Sequence, residues 1–273
     1  MQINYKYISF YLNDTYFDRT KESVIFLHGF SGSSSDWNKV LPKISSKFSP
    51  IAIDLIGHGK TSSPEKESDY SITEIIKQLS FILKYMKIKE PVLAGYSMGG
   101  RAALSFTANN VNIPRALILE SSTAGIESTS DQIARVEADN NLARDIINFG
   151  MDWFTKHWMN IPLFESQKSL SEKILLNIVK EKLTQNPLGL ALSLRGFSTG
   201  KMPSLWNNLK TIKQKTLLIS GELDQKFSEI NKKMANYLPN CEHKIIQETG
   251  HNTHLEKPEE FTILVNNFLK SLT

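Results

Sequence analysis

The sequence predicts an α/β fold: a mostly parallel sheet flanked by helices, with a helical lid inserted into it. Three observations carry that prediction. Short apolar runs alternate with helix-period segments through residues 23–120, the pattern of strands covered by helices on both faces. The strand signal stops from about residue 125 to 206, then resumes at Thr216–Ser220 and His243–Gln247. Within the first of these stretches, the run Pro91–Ala94 breaks directly into Gly95-Tyr96-Ser97-Met98-Gly99, a G-x-S-x-G pattern suited to a sharp strand-to-helix turn.

Taken in order, residues 3–18 alternate apolar with polar side chains around Asn13-Asp14, which predicts an antiparallel hairpin at a sheet edge. Ser23–Leu27 reads as a buried parallel strand ending in His28-Gly29-Phe30-Ser31-Gly32, where the glycines allow a tight turn that aims amides into a site. A helix is expected from Trp37 to about Phe48, and Pro50–Asp54 forms the next strand. His28 at a strand end and His58 between Gly57 and Gly59 read as structural residues. Ile72, Ile75, Ile76, Leu79, Ile82, Leu83 and Met86 recur at helical spacing behind Ser71, a natural cap. The Ser97 strand follows, and Arg115–Glu120 is another. In such a sheet the functional site lies at the carboxyl ends of the strands.

The expected division is a core of residues 1–124 and 206–273 and a helical lid of residues 125–205. Helical periodicity appears at Ile133, Val136, Leu142 and Ile146, again at Ile174–Val179, and after the Asn186-Pro187 break. Phe261–Leu272 closes the chain as an amphipathic helix.

The composition narrows the function classes. With 32 basic and 28 acidic residues, the net charge of +4 is mild and scattered; it suits an anionic small molecule and argues against nucleic acid. A single cysteine, Cys241, permits no internal disulfide, which together with the lack of a signal-like or spanning apolar segment predicts a cytoplasmic protein without membrane contact. The six histidines do not fall at metal-ligand spacings, so no metal or other cofactor is expected. Oligomeric state is not legible.

A serine on such an elbow needs a base, and the base a group to orient it. His251, after a late strand and Gly250, is favoured over His254, which is expected to pack or pair locally with Glu256. Asp224, just past the penultimate strand, is favoured as the orienting carboxylate over Glu222 and Glu120. The Phe30 and Met98 amides are the candidate oxyanion donors. Arg101 follows Ser97 by one helical turn on a helix expected to be buried. A buried guanidinium needs an anion, either a substrate carboxylate or an internal partner.

The segments HGF, DLIGHGKTSS, GYSMGGR, SGELD and ETGHNTHLEKPEEF, in that order along the whole chain, resemble the α/β-hydrolase superfamily. Within it, GYSMGGR, LESSTAGI, the HW-x-x-IPLF stretch and SLRG-x-STG-x-x-PSLW resemble the menaquinone-pathway 2-succinyl-6-hydroxy-2,4-cyclohexadiene-1-carboxylate synthases. The resemblance implies a lyase that eliminates pyruvate from 2-succinyl-5-enolpyruvyl-6-hydroxy-3-cyclohexene-1-carboxylate. It implies that Ser97, Asp224 and His251 are catalytic and that Tyr96, Arg101, Arg135 and Trp158 bind substrate. It also places Lys182 at a further basic lid position. Two other readings compete: a serine hydrolase of a carboxylate-bearing molecule, which shares the triad, and a non-catalytic ligand receptor, which would not need one.

Overall fold

The computed structural model describes residues 1–272. One eight-stranded sheet runs in the order β1-β2-β4-β3-β5-β6-β7-β8. Its strands are β1 (Gln2–Tyr5), β2 (Ile8–Asn13), β3 (Glu22–Leu27), β4 (Phe48–Ile53), β5 (Val92–Tyr96), β6 (Ala116–Glu120), β7 (Lys215–Gly221) and β8 (Cys241–Ile246). β1 and β2 are antiparallel to their neighbours, and every pair from β4 to β8 is parallel.

The central strands are apolar almost throughout because both faces of the sheet are covered. Alternate residues feed different cores. Ile25, Leu27, Ile51, Ile53 and Leu93 pack with α1 (Ile72–Met86) and α2 (Met98–Asn109). Val24, Phe26, Ala52, Val92 and Ala94 pack with Trp37 and with α8 (Pro258–Lys270). Ser71 caps α1 by accepting the Glu74 amide, and the helix ends where Lys87 turns left-handed at φ 57°.

Between β6 and β7 the chain passes through α3 (Thr129–Met159), α4 (Glu172–Leu183) and α5 (Pro187–Gly196). α3 is broken at Gly150, whose φ of 75° and ψ of −173° lie outside the helical region. Ala143, Ile146 and Phe154 of α3 meet Leu190, Ala191 and Leu194 of α5 in a third apolar cluster, which Phe30 of the β3 loop joins. Two short helices complete the set, α6 (Gln225–Ala235) and α7 (Thr253–Glu256).

Two expectations are corrected. The edge hairpin turns at Lys6-Tyr7, not Asn13-Asp14: Ile3, Ile8, Phe10 and Leu12 are the buried positions, and a register that buries them pairs Tyr5 with Ile8. Trp37–Phe48 is not a helix but two short 3-10 turns, Ser34–Trp37 and Leu41–Lys43. Pro42 supplies no amide and crowds the preceding turn, while Trp37, Val40 and Leu41 still reach the core.

Candidate active site

Ser97 sits between β5 and α2 with φ 48° and ψ −104°, a conformation unfavourable for a residue with a Cβ. The surroundings hold it there. Its amide donates to the Glu120 carbonyl at 2.8 Å, and the Ser122 hydroxyl donates to its carbonyl at 3.1 Å. The flanking glycines are required by close approach: a Cβ on Gly99 would strike the Leu27 carbonyl, and one on Gly95 would strike the Gly99 backbone.

Three elements distant in sequence then converge. The loop after β8 brings His251 Nε2 to 3.0 Å from Ser97 Oγ, and His251 Nδ1 lies 2.6 Å from Asp224 Oδ2. Asp224 caps α6 with its other oxygen, which accepts the Phe227 amide. That division of labour leaves Oδ2 to the imidazole. The Asp224 contact places the proton on Nδ1 and leaves Nε2 to accept from the serine. Phe227, Tyr96 and Phe164 surround the ring at centroid distances of 4.4, 5.3 and 6.1 Å. His251 is 1% exposed, so its bonds operate in a low-dielectric shell. The arrangement can draw a proton from a group at Ser97 Oγ and later return it.

Ser97 opens onto a cavity of about 470 Å³ walled also by Phe30, Met98, Arg101, Arg135 and Trp158. Met98 begins α2, where an amide has no acceptor within the helix, and the Phe30 amide reaches no backbone carbonyl among the described residues. Arg101 is buried; its Nη1 donates to the Phe197 carbonyl at 2.9 Å and its guanidinium lies 4.3 Å from the Phe197 ring centroid. No carboxylate lies within ion-pairing distance of it among the described residues, so the internal partner is not formed. Burial, reinforced by repulsion from Arg135 and partly opposed by Asp139, lowers its pKa to about 9. Arg135 differs: its Nε contacts both Asp139 oxygens at 2.9 Å, one turn along α3. The Trp158 indole nitrogen is buried without a partner among the described residues.

The structure therefore brings Ser97, Asp224, His251, Phe30, Met98, Tyr96, Arg101, Arg135 and Trp158 together. Lys182 is not among them. It lies on α4 over the β3 loop, donates to Ser31 Oγ at 2.8 Å, and lines an adjoining cavity beyond Phe30, Tyr96 and Phe164. His254 is also corrected: it pairs with Glu120, not Glu256, at 2.6 Å from Nδ1 to Oε2, stacked 4.0 Å from Trp37. Glu120 is thereby committed, as is Glu222, which accepts the Glu248 amide. His28 and His58 are buried and bonded to backbone, His28 to Gly29 and to the Leu55 amide and His58 to Ile56, which matches their structural reading.

Sequence reasoning missed Asp139, although the i,i+4 spacing to Arg135 marks it as a partner. Phe197 and Phe227 were also missed; their contacts with Arg101 and His251 cross 96 and 24 residues and leave no local signal. No group of three or more His, Cys, Asp or Glu among the described residues is arranged to hold a metal ion, and no helix there is long and apolar enough to cross a membrane.

Residues 22–258 match the α/β-hydrolase fold family. The chain is 39% identical over 251 residues to a putative 2-succinyl-6-hydroxy-2,4-cyclohexadiene-1-carboxylate synthase of Bacillus subtilis, covering 92% of this chain and 91% of that one. A synthase of the same name from Escherichia coli is 26% identical over 86% of this chain and 88% of its own. The solved structure of MenH from S. aureus superposes with a TM-score of 0.91 at 37% identity, covering 96% of this chain and 98% of that one.

Proposed function

We propose, for a chain that belongs to the α/β-hydrolase fold family and within it to the 2-succinyl-6-hydroxy-2,4-cyclohexadiene-1-carboxylate synthases, that it is the lyase of menaquinone biosynthesis that forms that product. It eliminates pyruvate from 2-succinyl-5-enolpyruvyl-6-hydroxy-3-cyclohexene-1-carboxylate. The observation that carries the substrate assignment is Arg101: a buried cation with no carboxylate within ion-pairing distance among the described residues, facing the same cavity as Ser97.

The chemistry follows from the groups in that cavity. His251, oriented by Asp224, takes the Ser97 hydroxyl proton as Ser97 Oγ removes the ring proton beside the succinyl ketone. The charge that builds on the ketone oxygen is held by the Phe30 and Met98 amides. The electron pair shifts through the ring double bond and breaks the C–O bond to the enolpyruvyl group, which leaves as the pyruvate enolate and takes up the proton on its methylene carbon to become pyruvate. One C–H and one C–O bond break, and no water is consumed. Arg101 holds a substrate carboxylate, with Arg135, Trp158 and Tyr96 forming the rest of the binding wall. The helices of residues 125–205 act as the lid over it. A cytoplasmic setting agrees with the single cysteine.

Substrate preference tests this reading. Purified protein should accelerate the elimination while turning over an uncharged ester such as p-nitrophenyl acetate slowly. Efficient ester hydrolysis without accelerated elimination would replace the lyase with a hydrolase.

A further inference from the structure

One residue holds both halves of the Ser97–His251 pair. Glu120 ends β6, and its carbonyl accepts the Ser97 amide at 2.8 Å. Its carboxylate, 1% exposed, reaches the loop that carries the base. Oε1 accepts the Thr253 hydroxyl at 2.7 Å and the His254 amide at 3.0 Å, and Oε2 lies 2.6 Å from His254 Nδ1. Thr253 and His254 follow His251 closely in the chain. The main chain of Glu120 thus fixes the nucleophile, and its side chain fixes the loop of the base.

The upstream side of that loop is tied elsewhere. The Leu223 amide, next to Asp224, donates to the Thr249 carbonyl at 2.8 Å. Gly221 lies so close that a Cβ on it would strike the Thr249 and Gly250 carbonyls. His251 therefore sits between two anchors, one on the turn that presents Asp224 and one on the strand that positions Ser97. The Glu256 carboxylate accepts the Gly250 amide at 2.8 Å, but Glu256 belongs to α7 and stiffens the loop without locating it on the sheet. A buried carboxylate is costly unless its lone pairs are filled. Here three donors from one turn fill them, which gives the loop a single register on β6.

We propose that Glu120 is a positioning residue that sets the separation of Ser97 Oγ and His251 Nε2, 3.0 Å in this structure. It touches neither substrate nor the reacting atoms and acts through Thr253 and His254. A loop released from β6 keeps the His251–Asp224 bond, whose anchor is separate, and lets Nε2 drift from the serine. The proposal concerns the serine–histidine pair and not the substrate, so it does not rest on the lyase reading.

Thr253→Val and Thr253→Ser separate the bond from the packing: valine keeps the volume without the hydroxyl, and serine keeps the hydroxyl without the methyl group. The readout is labelling of Ser97 by an uncharged alkyl fluorophosphonate, followed by intact-protein mass. In that reaction the Ser97 Oγ–P bond forms, the P–F bond breaks, fluoride leaves and His251 takes the proton. The reaction needs the serine–histidine pair and no carboxylate clamp. On variants held well below their melting temperatures, Thr253→Val should slow labelling about tenfold and Glu120→Gln up to about 100-fold, the scale of an ångström's misplacement. Thr253→Ser should restore most of the rate. Thr262→Val, which removes a buried hydroxyl bonded within α8, controls for lost stability and should label as wild type does. In pyruvate release the Thr253→Val loss should fall on kcat, with KM nearly unchanged. Should Glu120→Gln not fold, the Thr253 pair decides. A folded Thr253→Val that labels at close to the wild-type rate overturns the proposal. Thr253→Ser slowed as much as Thr253→Val also overturns it, by assigning the effect to packing. Pyruvate release by wild type reports separately on the lyase reading.

Discussion

Replacing Arg101 separates a substrate clamp from a merely structural cation. In Arg101→Ala the folded protein loses the Nη1 bond to the Phe197 carbonyl and the contact with the Phe197 ring, a stability cost of about 1–3 kcal/mol. The catalytic cost is a different quantity. Truncating one partner of a buried, hydrogen-bonded charge pair costs about 2–5 kcal/mol, or roughly 30- to 4,000-fold in kcat/KM. A solvated surface charge is worth under about 1 kcal/mol, or no more than about fivefold. The two ranges do not overlap, so one number decides. Arg101→Met keeps most of the side-chain volume and should show the same large loss, whereas Arg101→Lys keeps charge without the planar fork and should fall between. The assay is initial-rate pyruvate release over a range of substrate concentrations, on variants shown to be folded by thermal melts. A folded Arg101→Met with kcat/KM within fivefold of wild type would refute the clamp.

Other consequences are open to direct test. Glu120→Gln leaves the buried His254 without its carboxylate and should destabilise the fold by about 3 kcal/mol, read as a lower urea midpoint; an unchanged midpoint would remove this pair from the structural framework. Burial lowers His28 to about 4 and His58 to about 3, from 6.5. Each group binds more protons unfolded than folded between those values, so stability is fully present above about pH 6.5 and is lost as pH falls toward 3–4. His58→Gln should flatten the fall in Tm across that window, and an unchanged slope would contradict it. Gly150→Ala imposes a Cβ on φ 75° and ψ −173°, where the strain amounts to about 1–3 kcal/mol. Nothing crowds that Cβ, so the loss should come from the backbone alone, and an unaltered melting temperature would show that α3 straightens without cost.

The sheet and the elbow were legible because their causes are local. A strand buried on both faces must be apolar along its length, and two close backbone approaches around Ser97 leave room only for glycine. The amino-terminal turn was misplaced because Asn13-Asp14 is a turn signal in composition, whereas the register is set by which face of β2 the core receives. Pro42 was in plain sight inside the helix expected from Trp37 to Phe48, and the chain there forms two 3-10 turns instead. At the site, chain order was enough to favour Asp224 and His251. The commitment of Glu120 to His254, 134 residues away, is a product of β6 and the α7 turn meeting in space. Lys182 shows the opposite limit: its place over the β3 loop, bonded to Ser31, is set by where α4 packs and has no signal in the neighbouring sequence.

The central claim is that the Ser97-His251-Asp224 constellation drives an elimination. Its most direct test is pyruvate release from 2-succinyl-5-enolpyruvyl-6-hydroxy-3-cyclohexene-1-carboxylate, generated in place by the preceding pathway enzyme and followed for wild type, Ser97→Ala and a protein-free blank. Wild type should exceed the blank by a wide margin, and Ser97→Ala should lose about 100- to 10,000-fold of that rate, the range for a positioned acid–base group. A Ser97→Ala variant that keeps most of the wild-type rate, or a wild type no faster than the blank, would contradict it.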